Sequence, residues 1–192
     1  MKLVWGAALR PKFGQSVSGD AYLALPYDDD RLLAAVIDGL GSGDTAAEAA
    51  HRAVAVLKSD PAGDLTDLMR RADRALVGSR GAVMALLRLD ARMRTAEFVG
   101  VGNVGAQVYS DLLIKPISKN GIVGYRLPQL LRLSYTYNSG DTFVLYSDGI
   151  SNRFTTEPPP DLRRSPQQIA DEILARFGKD NDDATVVVVR SE

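Results

Sequence analysis

The chain has 192 residues, of which 45% are hydrophobic and 24% are charged, and its formal net charge is −1. This length and composition suit one globular domain with a sizeable core. The balanced charge argues against nucleic acid or an anionic membrane surface as a partner. The chain has no cysteine and one histidine, His51, so disulfides, thiol nucleophiles and multi-histidine metal sites are excluded.

The first forty residues carry apolar runs that predict three strands, over about 2–9, 20–25 and 31–37. The apolar run at the N-terminus is short and interrupted. It predicts neither a signal peptide nor a membrane-spanning helix, so a soluble, cytoplasmic protein is expected.

Two helices are predicted next, over about 44–58 and 65–77, because apolar residues recur at helical spacing. The predicted inner face of the first comprises Ala46, Ala50, Ala53, Val54 and Leu57, and that of the second comprises Leu65, Leu68, Met69, Ala72 and Leu76. Asp64 is the predicted N-cap of the second helix. His51 lies within the first helix and is interpreted as a surface or boundary residue rather than a catalytic one.

From Gly81 onwards the pattern becomes that of an antiparallel meander. Strands are predicted at 82–90, 95–102, 105–110, 112–117, 130–137 and 141–148, with a loop over 117–130. A last helix is marked by a Ser165 cap, Pro166 at its first position, Gln168 completing a capping box, and Gly178 at its end. The closing strand "ATVVVVR" has unbroken valines, which predicts burial on both faces.

These elements predict a single α+β domain over residues 1–192, with sheets packed together and helices outside. Strands and helices occur in separate runs, and the sequence shows neither a repeat nor a linker that would divide it.

The glycine-rich stretch "VIDGLGSGD" at 36–44 joins a strand to a helix, the layout of several phosphate-binding loops. A dinucleotide fingerprint needs a third glycine where Asp44 stands, and a P-loop needs a lysine that is absent. A nucleophile elbow needs glycines on both sides that neither Ser42 nor Ser147 has. All three motifs therefore fail.

Aspartates at strand ends form the remaining pattern. Asp38 and Asp148 each follow an apolar strand and precede a glycine, Asp20 begins a strand, and Asp182 and Asp183 come just before the last strand. One Asp-Gly pair alone is typical of a turn. As a set without histidine or cysteine, the carboxylates indicate a site for Mg²⁺ or Mn²⁺. Two such ions sharing a carboxylate can activate water for hydrolysis. The glycine that follows each aspartate leaves room for a backbone carbonyl to reach a metal and for a phosphate to enter the site.

At these residues the sequence resembles the metal-dependent protein phosphatase (PPM, type 2C) family. The resemblance rests on six ordered elements between residues 19 and 189, namely "GDAY", "VIDGLGSG", "RGAVMALLRLD", "FVGVGNVGA", "FVLYSDGIS" and "NDDATVVVV". It implies an αββα four-layer sandwich of two antiparallel sheets flanked by helices. Within the family, "DGLGSG", "RGA", "VGNV" and "PIS" and the short length are similar to the SpoIIE-like branch, in particular its small stressosome phosphatases.

The resemblance implies a centre of two Mn²⁺ or Mg²⁺ ions and a role for each acidic residue. Asp38 corresponds to the bridging ligand and Gly39 to a carbonyl ligand, while Asp148 and Asp182 correspond to ligands of the second metal. Asp20 corresponds to the acid that holds the first metal, directly or through water. Asp183 stands where many members have asparagine, so either residue of the 182/183 pair can be the ligand.

Substrate binding is less clearly marked in the sequence. Large members of the family hold phosphate with an arginine near the N-terminus, for which Arg10 and Lys12 are the nearby candidates. A flap present in large members has only residues 117–130 as its counterpart. Binding of the substrate is therefore expected to depend on docking of the protein partner.

The resemblance implies a monomeric phosphatase that removes phosphate from serine or threonine of STAS-domain scaffold and antagonist proteins of the stressosome, resetting the stress response. Two alternatives remain at this point. One is a non-catalytic module of the same fold that docks on STAS domains, although loss of catalysis usually leaves broken ligands. The other is a phosphatase of the same branch that acts on an anti-sigma-factor antagonist.

Overall fold

The structure, a computed structural model, describes residues 2–192. Within them lie nine strands, in chain order β1 (Leu3–Arg10), β2 (Asp20–Tyr27), β3 (Arg31–Gly39), β4 (Ala82–Asp90), β5 (Thr95–Val101), β6 (Gly105–Tyr109), β7 (Leu133–Thr136), β8 (Thr142–Tyr146) and β9 (Ala184–Ser191). The α-helices of the same residues are α1 (Asp44–Ser59), α2 (Leu65–Leu76) and α3 (Pro166–Phe177), and a 3₁₀ turn spans Asn152–Thr155.

The strands form two antiparallel sheets, one in the order β1-β9-β8-β6 and the other in the order β2-β3-β4-β5-β7. Helices α1 and α2 pack on the five-stranded sheet, and α3 packs on the four-stranded sheet. A third apolar cluster fills the space between the two sheets. The predicted αββα sandwich is therefore confirmed.

The central strands are apolar on both faces because each face meets a different layer. On β3, Leu33 and Ile37 pack toward α1 and α2, whereas Leu32 and Val36 pack between the sheets. The valines of β9 divide in the same way, with alternate residues facing α3 and the opposite sheet. Burial of both faces of the closing strand is thus confirmed.

The predicted helix caps and the predicted buried helix faces are confirmed. The Asp64 carboxylate accepts hydrogen bonds from the first turn of α2, and Ser165 and Gln168 form the reciprocal capping box of α3. All ten residues predicted for the inner faces of α1 and α2 are buried.

Two predicted strands differ from the structure. Residues 112–117 form no regular strand, and Leu113 there is 80% exposed. Pro116 lacks the N–H that a ladder needs, which explains why the apolar run does not pair. The strand predicted over 130–137 is shortened to β7, whereas the loop over 117–130 is confirmed apart from isolated bridges.

Among residues 2–192, no helix is both long enough and apolar enough to cross a bilayer.

Helix α3 lies unusually close to the edge strand β1. The Gln167 side chain accepts from the Ala7 N–H at 3.1 Å and donates to the Ala7 carbonyl at 2.9 Å, which satisfies backbone groups of the edge strand. A Cβ added to Gly6 would lie 2.2 Å from the Gln167 nitrogen. Glycine is therefore required where the helix crosses the strand.

We expect Gly6→Ala to lower the free energy of unfolding by about 2 kcal/mol or more, because the added methyl group forces α3 away from β1. Gly140→Ala is the control, since its Cβ would meet nothing within 4 Å although Gly140 has a φ of +91°. That control should lose only the ~1 kcal/mol cost of a left-handed alanine. Urea denaturation measures both, and equal losses would contradict the close packing of α3 on β1.

Candidate metal centre

Four aspartates meet at one end of the sandwich, which we call the acidic end: Asp20, Asp38, Asp148 and Asp182. Asp20 and Asp38 are directly paired across the β2–β3 ladder, because the start of β2 and the end of β3 lie together. Asp148 follows β8 and Asp182 precedes β9, and these two strands are antiparallel neighbours in the other sheet. Each sheet therefore contributes two carboxylates.

Asp38 carries the strongest sign of crowding by like charges. Burial, followed by the charges of Asp20, Asp148 and Asp182, raises its pKa from 3.8 to about 8. A carboxyl group with so high a pKa lacks a compensating cation. Its surroundings are those that a bound cation would stabilise.

Asp20 is held in place by a hydrogen bond that crosses between the sheets. The Ser147 hydroxyl donates to the Asp20 carboxylate at 2.6 Å and accepts from the Thr185 N–H at 3.0 Å. Burial raises the pKa of Asp20 to about 6, and the bond from Ser147 opposes that rise. Sequence reasoning missed Ser147, which it considered only as a nucleophile, although its position next to Asp148 was a usable signal.

Asp148 is half-buried and has two polar neighbours that sequence reasoning also missed. The Asn103 side-chain amide donates to its carboxylate, and the Lys179 ammonium donates to its backbone carbonyl at 2.6 Å. Burial and then the charge of Asp182 raise the pKa of Asp148, while Lys179 and a hydrogen bond with Asp38 lower it. Asn103 lies in "VGNV", one of the motifs that carry the family resemblance, but the sequence indicated no role for this residue.

The two adjacent acids Asp182 and Asp183 occupy different environments. Asp183 is only 3% exposed, and its carboxylate accepts from the Lys12 N–H at 2.8 Å and the Gly19 N–H at 2.9 Å. It therefore fastens the 11–19 loop to the start of β9. Asp182 is half-buried and accepts from the Asp183 N–H at 3.0 Å.

The glycines beside Asp38 and Asp148 allow backbones to approach closely. A Cβ on Gly39 would lie 2.2 Å from the Ala46 carbonyl oxygen of α1, and a Cβ on Gly149 would lie 1.8 Å from the Asp183 carbonyl oxygen. The sequence analysis attributed these glycines to metal and phosphate access. The structure shows a packing reason for each of them as well.

The donor set consists of oxygen atoms, which suits hard divalent cations. Among residues 2–192, no three acidic or histidine side chains are arranged so that they could already hold a metal ion. The carboxylates of the acidic end act on one another mainly through charge. The residues present therefore fit Mg²⁺ or Mn²⁺ by donor type and by their uncompensated negative charge.

The two candidate phosphate-binding residues both lie beside the acidic end. The Arg10 guanidinium donates to the Lys179 carbonyl at 3.0 Å and forms a 3.1 Å ion pair with Asp180. Lys12 reaches the site through its backbone, which is bonded to Asp183. His51 is exposed on α1, as predicted, and lines an open groove of about 380 Å³ that also includes Asp20.

The geometry agrees with the comparison with known proteins. The family model of stage II sporulation protein E (SpoIIE) matches residues 28–192. The phosphoserine phosphatase RsbX of Bacillus subtilis (strain 168) is 25% identical over 185 residues, covering 92% of this chain and 89% of RsbX.

Solved structures agree as well. A chain from a study of the bacterial stressosome, described as a modular system adapted to control secondary messenger signalling, is 33% identical with a TM-score of 0.92, and covers 99% of this chain and 100% of that one. RsbX in complex with magnesium is 24% identical with a TM-score of 0.85, covering 99% and 96% of the two chains. This chain therefore belongs to the SpoIIE family of PPM-type phosphatases.

Proposed function

We propose that this chain is an RsbX-like protein serine/threonine phosphatase that depends on two Mn²⁺ or Mg²⁺ ions. Its substrates are phosphorylated STAS-domain proteins of a stressosome, and its action resets the general stress response. The observation that carries this proposal is the convergence of four carboxylates at one end of a PPM-type sandwich, where burial and the charges of its neighbours raise the pKa of Asp38 to about 8.

The acidic residues divide into ligands and a structural anchor. Asp38 would be the ligand shared by the two ions and Gly39 would contribute its carbonyl, while Asp20 would hold the first ion, directly or through water. Asp148 and Asp182 would hold the second ion. Asp183 is the anchor, since both of its oxygens already accept backbone hydrogen bonds.

Bound divalent cations supply activation of water and neutralise charge on a phosphoryl group. The chain itself orients the ligands. Ser147 fixes the Asp20 carboxylate and Asn103 fixes that of Asp148, so neither has to be ordered when a cation binds. The reaction needs no covalent phosphoenzyme, and the chain has no cysteine to form one.

The substrate class is inferred from relatives. RsbX is named a phosphoserine phosphatase, and a structure from a stressosome study matches at 33% identity over 99% of this chain. These likenesses support a phosphoserine or phosphothreonine on a stressosome protein as the substrate. We further infer that the enzyme acts in the cytoplasm as a monomer.

We expect Asp38→Asn and Asp148→Asn each to reduce kcat/KM by about 1000-fold or more, since each removes a ligand charge from the centre. Phosphate release from a phosphorylated STAS-domain scaffold is measured with Mn²⁺, with Mg²⁺ and with chelator. Asp29→Asn is the matched control, because Asp29 lies in the β2–β3 turn, at the other end of the ladder from Asp38. That control should retain full activity.

The outcomes separate the alternatives. Turnover of p-nitrophenyl phosphate without release from the scaffold would keep the chemistry and reject the stressosome substrate, which favours an anti-sigma-factor antagonist instead. Tight scaffold binding without any turnover would favour a docking module. Full activity in both Asp38→Asn and Asp148→Asn would contradict the metal centre.

We expect Asp38→Asn to raise the unfolding temperature of the metal-free protein by about 3 °C near neutral pH. Burial and the neighbouring carboxylates raise the pKa of Asp38 above its value in the unfolded chain, and the stability lost through this shift is regained when the carboxyl group is removed. Added Mn²⁺ should stabilise the unmodified protein and have much less effect on the variant. Differential scanning calorimetry with and without Mn²⁺ measures both effects. An equal response to Mn²⁺ in the two proteins would exclude Asp38 as a ligand.

The adjacent acids should respond in opposite ways. Asp182→Asn should abolish the stabilisation by Mn²⁺ and leave the metal-free protein stable. Asp183→Asn should lower the free energy of unfolding of the metal-free protein by about 2 kcal/mol, because one of the two carboxylate oxygens becomes an N–H₂ group. That group cannot accept the backbone hydrogen bond that Lys12 or Gly19 now donates to the oxygen. Denaturation curves with and without Mn²⁺ test this, and the reverse pattern would exchange the two roles.

A further inference from the structure

A guanidinium group lies against the glycine-rich loop beside the acidic end. A Cβ placed on Gly41 would be 2.8 Å from the Arg80 Nη1 atom, so the side chain of Arg80 lies directly over this loop. Gly41 is three residues beyond Asp38, and its φ is +98°. A glycine here both permits the backbone conformation and leaves room for the arginine.

The backbone around Arg80 is fixed on both sides. The Ser79 N–H and hydroxyl both donate to the Leu76 carbonyl, and the Ser79 hydroxyl accepts from the Gly81 N–H at 3.1 Å. The Gly81 carbonyl accepts from the Leu40 N–H at 3.0 Å. Arg80 thus starts from a rigid turn that is joined to the strand end carrying Asp38.

The head group of Arg80 remains available for a ligand. The ion pairs and side-chain hydrogen bonds found among residues 2–192 do not include it, and the residue is exposed. Two other cations near the acidic end have partners: Arg10 is paired with Asp180, and Lys179 donates to the Asp148 carbonyl. Arg80 is therefore an exposed guanidinium without an ion pair among the described residues, and it lies next to the glycine loop that follows Asp38.

A phosphomonoester approaching this end of the molecule meets a specific electrostatic problem. It carries close to two negative charges near neutral pH, and the carboxylates of the acidic end repel it. A guanidinium offers a planar pair of N–H donors that matches two phosphate oxygens, which an ammonium does not.

We propose that Arg80 binds the phosphate group of the substrate. This inference rests on the proposed phosphatase function and assigns to Arg80 the role for which the sequence offered Arg10 and Lys12. Arg80 contacts the phosphoryl oxygens and holds the phosphoserine at the acidic end. The glycine loop below it gives the phosphate and the guanidinium space to meet.

The test compares Arg80→Ala, Arg80→Lys and Lys12→Ala with the unmodified protein. The control is Arg92→Ala, because Arg92 lies in the β4–β5 turn, at the other end of the sheet from Asp38. With p-nitrophenyl phosphate and Mn²⁺, we expect Arg80→Ala to raise KM about tenfold with a smaller change in kcat, and Arg80→Lys to restore part of the loss. Arg92→Ala should leave KM unchanged, and Lys12→Ala should raise KM less than Arg80→Ala does.

A binding measurement complements the kinetics. Inorganic phosphate should raise the unfolding temperature of the Mn²⁺-loaded unmodified protein, and this rise should be lost in Arg80→Ala. The stabilisation by Mn²⁺ alone should be the same in both, which separates phosphate binding from metal binding.

Three results would overturn the assignment. KM and phosphate stabilisation that are unchanged in Arg80→Ala would remove Arg80 from the site, and a larger effect of Lys12→Ala would transfer the role to Lys12. A weakened response of Arg80→Ala to Mn²⁺ alone would show that Arg80 acts through the metal centre. Absence of metal-dependent turnover in the unmodified protein would instead reject the phosphatase function, and the role of Arg80 with it.

Discussion

Repulsion among the carboxylates of Asp20, Asp38, Asp148 and Asp182 is the constraint around which this protein is arranged. Isolated segments carrying these charges would separate, because like charges repel. In the folded chain, burial and then the neighbouring carboxylates raise the pKa of Asp20 and Asp38. Two antiparallel sheets hold them together through backbone ladders that the side-chain charges cannot break. The hydrophobic layer between the sheets stabilises this arrangement, so the core maintains the negative potential of the acidic end.

The two sheets are joined at the acidic end by contacts that depend on small or buried residues. Ser147 links the strand-end acid of one sheet to the other sheet, and the backbone beside Gly149 lies against the carbonyl of Asp183. Asp183 in turn ties down the 11–19 loop. A larger side chain at Gly149 would move Asp148 away from Asp38. The geometry of the site therefore depends on the close packing of the backbone.

Negative charge at the centre also explains the distribution of cations around it. The Arg10 guanidinium donates to the Lys179 carbonyl, and the Lys179 ammonium donates to the Asp148 carbonyl and offsets negative charge at Asp148. Arg80 lies over the glycine loop that follows Asp38. A substrate phosphate would bind such a site only if cations attract it more strongly than the carboxylates repel it, and the proposed metal ions and Arg80 would supply that attraction together.

The sequence by itself determined the layers and the identity of the acidic residues. Apolar runs fix which strands have two buried faces, helical spacing fixes the inner faces of α1 and α2, and aspartates at strand ends mark the site, because each of these signals is local. It failed at residues 112–117, where Pro116 prevents pairing. Only the tertiary structure decided that Asp183 anchors a loop and that Ser147, Asn103 and Arg80 adjoin the site, because their contacts join segments distant in the chain and leave no periodic trace in it.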